Sequence, residues 1–352
     1  MANSLKREQS MNERNKGSLL MVAGGVGAAL ALRAIVKRIR EYDFLGRSVL
    51  ITGGSRGLGL VLARELARAG AKLAICARDS HELERARQEL ERVGARVSAV
   101  PCDVTDRAQV NEMVDTVRQR FGKIDVLINN AGTIHVGPME EMTLEDYDDA
   151  MKTHFWGPLY TMLAVLPEMR ARRAGRIVNI SSIGGKIGIP HLAPYSASKH
   201  ALVGLSSALR AELAKDGIVV TTVCPGLMRT GSPRNAIFKG RHRAEYAWFS
   251  ISDGSPGTSM SAERAARQII AACRRGDAEV ILTAQAEVAA KLNALFPELT
   301  SDVLALVNRL LLPAPGGIGK QRAKGKDSES SLAPSLLTML GDNAAARNNE
   351  LL

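Results

Sequence analysis

The chain has 352 residues, 45% of them apolar, which is enough for one large α/β domain with extensions at both ends. Its net charge of +11 gathers in the first forty residues, where eight Lys or Arg face two Glu; elsewhere the balance is ordinary, and the basic residues are not interleaved with stacking aromatics, which argues against a nucleic-acid groove. Aromatics make up only 4%, and Cys76, Cys102, Cys224 and Cys273 fall in no metal-binding spacing, so they read as buried thiols of a reducing compartment and no metal is expected.

In chain order, residues 1–17 form a basic leader and 18–36 an apolar segment. Leu19 to Leu32 carry no charge before Arg33 interrupts, short of the roughly 20 residues of a spanning helix. A membrane anchor, an interfacial helix and a disordered leader all stay open for it. The cluster Arg33, Lys37, Arg38, Arg40 favours a cytoplasmic, membrane-associated catalytic body.

From residue 48 short apolar runs alternate with amphipathic stretches. Strands are expected over 49–52, 72–77, 97–100, 125–129, 176–181, 219–224 and 280–283, and helices over 57–69, 80–92, 108–121, 144–172 and 194–214. Near-continuous apolar strands alternating with helices predict a doubly wound parallel sheet of about seven strands, Rossmann-type, with helices on both faces. The domain is placed at 42–285, with a lid over 227–260 at the mouth of the crevice. Residues 286–312 are expected as an apolar helical extension and 313–352 as a flexible tail. The extension serves either core or dimer packing or a second membrane contact.

The chemistry-bearing residues follow strand ends, where such sheets bind ligands. Gly53, Ser55, Arg56, Gly57, Leu58 and Gly59 form a glycine turn that opens a helix, a geometry that brings backbone N–H groups to a pyrophosphate. The second strand ends in Ala77-Arg78-Asp79. With Arg56 in the turn, two guanidinium groups favour a ribose 2′-phosphate, hence NADP(H) over NAD(H); in the rival reading Arg78 faces solvent and Asp79 caps a helix. Asp103 and Val104 are placed to meet the adenine ring. Tyr195 and Lys199, four apart, share one helix face. A phenol titrates near about 10, a neighbouring cation lowers that value, and Ser182 can hydrogen-bond a developing oxyanion. Together the three can move a proton on or off an alcohol or carbonyl oxygen. The pair alone recurs by chance; its coincidence with the other motifs carries the reading.

These residues resemble the short-chain dehydrogenase/reductase family over roughly residues 45–285. Thr52–Gly59 matches its cofactor turn, Asn129–Gly132 its Asn-Asn-Ala-Gly motif, Ser182, Tyr195 and Lys199 its catalytic residues, and Pro225–Gly226 its Pro-Gly after the sixth strand. The resemblance implies that Tyr195 is the general acid or base, that Lys199 holds the nicotinamide ribose and depresses Tyr195, and that Ser182 orients the substrate oxygen. It also places Asn130, Ala131, Gly132, Pro225, Gly226 and Thr230 beside the cofactor and implies a homodimer or homotetramer. One position departs: the family's catalytic Asn is replaced by His154, in the run His154-Phe-Trp-Gly157. Imidazole also donates, accepts and relays protons, so activity is expected to survive. The expected function is carbonyl–alcohol interconversion on a lipophilic small molecule, suggested by a lid that mixes Ile237, Phe238, Tyr246, Trp248 and Phe249 with Arg and Lys. The alternative is a cofactor-binding regulatory or scaffold protein whose turnover His154 has weakened.

Overall fold

A computed structural model describes Gly25 and residues 41–351 of the chain. Its strands are β1 (Ser48–Thr52), β2 (Lys72–Ala77), β3 (Val97–Pro101), β4 (Val126–Asn129), β5 (His135–Val136), β6 (Gly175–Ile180), β7 (Ile218–Pro225), β8 (Leu227–Arg229), β9 (Ile237–Phe238), β10 (Ser259–Ser261), β11 (Glu279–Leu282) and β12 (Ala323–Lys324). Seven of them make one parallel sheet in the order β11-β7-β6-β4-β1-β2-β3. The chain builds outward from β1 to β3 and then crosses back to β4 on the other side of β1, so the topological switch lies between β1 and β4.

Strand alternation decides which helices each face receives. Val49, Ile51, Leu73, Ile75, Val126 and Ile128 point to the face covered by helices Gly57–Arg68, Ser80–Arg92 and Ala262–Arg275. Leu50, Ala74, Cys76 and Leu127 point to the other, under Arg107–Phe121, Gly157–Arg172 and Ala193–Leu213. Both faces are buried, so these strands are apolar throughout rather than alternating. All four cysteines are free and buried.

The helix expected over 144–172 is interrupted. Leu144–Met151 runs into a single π-helical turn, Lys152–Trp156, before Gly157–Arg172 continues it. Such one-turn π segments recur at functional sites, and this one carries His154.

Beyond the sheet, the apolar extension is two helices, Ala284–Leu295 and Pro297–Leu311, separated at Phe296 where Pro297 starts the second. Leu295, Phe296, Leu299, Leu306, Leu310 and Leu311 are all more than half exposed, so they do not serve this chain's own core.

Residues 313–351, expected as a flexible tail, make contacts with the body of the fold. β12 pairs antiparallel with β9, Arg322 bonds buried Asp146 at 2.8 Å and Asp149 at 2.9 Å, and helix Met339–Arg347 lies against lid helix His242–Gly254. Ala333, Ala344, Ala345 and Asn348 are buried. The tail's polar residues are spent on hydrogen bonds to the lid and the glycine turn rather than on water, which composition alone does not reveal. Segment 18–36 lies outside the described residues apart from Gly25. Among the described residues no helix is long and apolar enough to cross a membrane.

Candidate active site

The carboxyl ends of β1 and β4 are tied together at the switch. The Thr52 hydroxyl accepts the backbone N–H groups of Asn130 (3.0 Å) and Ala131 (3.1 Å), while the Asn130 side chain donates to the carbonyls of Thr52 and Gly53, each at 3.1 Å. Behind them Asn129 and Asn179 bond at 2.9 Å, with Thr161 and Ser206 completing a buried network that keeps β4 and β6 in register.

The glycine turn follows. Gly57 has φ +54, a left-handed conformation that costs any side chain, and a Cβ at Gly59 would strike the Gly53 carbonyl. The first turn of helix Gly57–Arg68 is thereby packed against the strand end. Leu58 and Ser55 are buried, and the Ser55 hydroxyl donates to Glu82 at 3.2 Å.

The two arginines expected at the 2′-position are not equivalent. Arg56 is held by Glu82 at 3.0 Å and faces Glu350 at 3.5 Å. Arg78 has its side chain 75% exposed and only approaches Asp103, at 3.9 Å. Asp79 caps the next helix by accepting the N–H groups of His81 and Glu82, both at 2.9 Å. Asp103 accepts Thr105 N–H at 2.9 Å, and Val104 beside it is buried. Across the crevice Gly226 N–H bonds Leu282 O at 3.0 Å, fixing the turn after Pro225, and Thr230 is buried behind it.

On helix Ala193–Leu213 the Tyr195 ring is half-buried and the Lys199 ammonium lies 5.6 Å from its centroid. Desolvation raises the Tyr195 hydroxyl above its ordinary value, and a hydrogen bond with Ser182 opposes that rise. Lys199 is 4% exposed, donates to Ile180 O at 2.9 Å, and is pushed down to about 7 by burial. Ser182 also accepts Gly184 N–H at 3.1 Å, which fixes its hydroxyl.

His154 sits between these parts. Its Nε2 accepts the Thr133 N–H at 3.1 Å, its Nδ1 meets the Ser198 hydroxyl at 2.8 Å, and Ser198 in turn donates to the Tyr195 carbonyl at 2.9 Å. This chain of partners assigns the Nδ1–H tautomer. Burial and the charge of Lys199 hold the imidazole well below its usual titration range, so it is neutral. Its ring meets Tyr195 edge-on, with centroids 5.4 Å apart. His191, in the segment ahead of Tyr195, is pinned by Glu245 at 2.8 Å.

The chain matches the family model described as short chain dehydrogenase over residues 47–237. It belongs to the short-chain dehydrogenase family. A dehydrogenase/reductase SDR family protein 7-like from Anopheles gambiae is 36% identical over 262 residues, covering 73% of this chain and 81% of the relative. A short-chain dehydrogenase/reductase from Burkholderia phymatum, solved with NAD, superposes with a TM-score of 0.68 at 27% identity, over 73% of this chain and 96% of that one. An actinorhodin polyketide ketoreductase solved with NADPH gives 0.61 at 33% identity, over 67% and 95%.

Membership makes the chain an oxidoreductase that uses a nicotinamide cofactor. Sequence reasoning missed Ser198, Thr133 and Glu82, each of which positions a residue it did find. It also missed Asn348 to Glu350, which lie on the glycine turn and had no motif to mark them. Ser198 was findable, since it lies within the Tyr-to-Lys interval, but a small polar residue there carries no signature of its own.

Proposed function

We propose that this short-chain dehydrogenase interconverts a carbonyl and an alcohol on a small molecule with an apolar body, using NADP(H). The observation that carries the reading is the convergence of Ser182, Tyr195 and Lys199 at the strand ends beside a glycine turn that opens a helix. The bound nicotinamide supplies or accepts the hydride. Gly53, Ser55, Gly57, Leu58 and Gly59 would cradle its pyrophosphate, with Asp103, Val104, Asn130, Ala131, Gly132, Pro225, Gly226 and Thr230 along its length. The fit is supported by the bare glycine wall, where a carboxylate oxygen of the chain itself already lies 2.6 Å from the position of a Gly57 Cβ.

In reduction, Tyr195 gives its hydroxyl proton to the substrate oxygen while Ser182 donates a hydrogen bond to the same oxygen. Tyr195 begins neutral, as its burial favours. The protonated Lys199, beside the ring, stabilises the phenolate that this leaves, and the phenolate regains its proton from solvent. His154, neutral and doubly bonded, holds the loop after Gly132 and the start of the Tyr195 helix in place rather than passing protons. This favours retained turnover over a scaffold role.

The preference for NADP(H) is supported by Arg56 in the glycine turn; the exposed Arg78 and the helix-capping Asp79 give it no support. The apolar substrate body is supported by Ile134, Ile189 and Trp248, which like Tyr195 are partly buried against one apolar cluster. The lid's Phe238, Tyr246 and Phe249 give no such support, because they are buried against one another. The test is oxidation of NADPH and NADH by the purified chain against apolar ketones and aldehydes, with Tyr195→Phe as blank. Turnover should favour NADPH and fall roughly 10²–10⁴-fold in the blank. Equal turnover by Tyr195→Phe, or preference for NADH, would contradict the respective part of the reading.

A further inference from the structure

The end of the chain lies where the dinucleotide is proposed to bind. The backbone N–H of Gly57, the first in its helix, donates to Asn348 O at 2.8 Å. Asn349 donates from its side chain to Ser55 O at 2.9 Å. Glu350 is only 5% exposed; its carboxylate faces Arg56 at 3.5 Å and accepts from Asn235 of the lid. On the opposite wall the Asn348 side chain donates to Thr230 O at 3.4 Å, and the backbone of Ala345 lies against Gly231. Three consecutive residues thus bridge the glycine turn and the segment after β7, the two walls between which a pyrophosphate must pass. The Asn348 carbonyl takes the Gly57 N–H and Glu350 faces Arg56, two donors open to a phosphate once the tail has left.

We propose that residues 344–350 are an intramolecular plug of the dinucleotide crevice, which must leave the glycine turn before cofactor enters. The inference rests on the reading of that turn as the cofactor site. The tail upstream of it stays attached to the lid through β12 and to helix Leu144–Met151 through Arg322, so release of the plug breaks its own bonds to Thr230 and Asn235 and leaves those upstream contacts in place. Because cofactor binds only the unplugged fraction, its apparent dissociation constant is raised by the inverse of that fraction.

The experiment titrates NADPH and NADH separately into three proteins: the full chain, a chain ending at Asn343, and the full chain with Asn348→Ala and Glu350→Ala. A peptide of residues 344–352 is then added to the shortened chain. Both altered proteins should bind the preferred dinucleotide roughly tenfold more tightly than the full chain, and the peptide should reverse the gain in the shortened one. Equal or weaker binding by the altered proteins overturns the plug while leaving the cofactor reading intact. Absence of binding in all three overturns the cofactor reading, and the plug with it. The double variant keeps every segment of the fold, so the comparison stands even where the shortened chain fails to fold.

Discussion

At the residue scale, the site's buried titratable groups make separable predictions. Lys199 is depressed to about 7 from the ordinary lysine value, so between those values the unfolded chain binds the extra proton and the folded one does not. Stability therefore gains from this residue as pH rises from 7. Above pH 9 the buried thiols of Cys224 and Cys273, both pushed up to about 12, begin to oppose the gain. Thermal melts from pH 7 to 9 should show a rising contribution that Lys199→Met abolishes. His154→Ala strands the Thr133 N–H and the Ser198 hydroxyl and should cost about 2 kcal/mol in urea unfolding. His154→Asn should keep a pH–rate profile of the same shape, because a neutral imidazole contributes no limb to it; a limb near the usual histidine range that vanishes in this variant would restore the relay role. His135 is buried with neither ring nitrogen bonded. Its replacement by Leu should leave stability unchanged or raise it by about 1 kcal/mol, since an unsatisfied polar group is removed. Ser182, Tyr195 and Lys199 were legible in the sequence because their chemistry demands particular residue types at fixed spacing. His154's neutral state was not, because it follows from partners, Thr133 and Ser198, that sequence does not place beside it.

At the scale of elements, the central sheet was readable because strands buried on both faces are apolar without interruption. The π turn was not, since one inserted residue leaves the apolar pattern of helix 144–172 nearly intact. The tail was misread because Gly, Ser and Asn content marks solvated chain and hydrogen-bonded strap alike. Its end carries a pH dependence. Glu350 and Asp253, near one another beside the lid, are both raised to about 7 by burial. Arg56 and Glu82 face Glu350 from the glycine-turn side and Asn235 from the lid, while Arg229 faces Asp253. The docked Glu350 therefore holds a proton that the released one gives up from about pH 4.5 upward. Docking is strongest below that value, weakens as pH rises through 7, and is level above it. Dinucleotide affinity of the full chain should accordingly rise from pH 5.5 to 7.5 relative to that of the chain ending at Asn343; parallel pH curves for the two proteins would count against a docked Glu350.

At the scale of the whole molecule, the helices Ala284–Leu295 and Pro297–Leu311 present an apolar face that the other described residues leave open. Because Leu299 and Leu310 touch solvent, changing both to Lys should alter unfolding stability by no more than about 0.5 kcal/mol per site. The same change should lower light scattering of concentrated protein, and unchanged scattering would show that the face does not drive self-association. The plug differs from any such contact between molecules in one respect. Its end is joined to the surface it covers, so its local concentration is set by the length of the strap and not by how much protein is present. Diluting the sample leaves the covered fraction where it was; rising dinucleotide, rising pH or severing the strap shifts it. An assay run at nanomolar enzyme and one run at micromolar enzyme will therefore report the same suppressed affinity, and their agreement is no sign that the crevice is open.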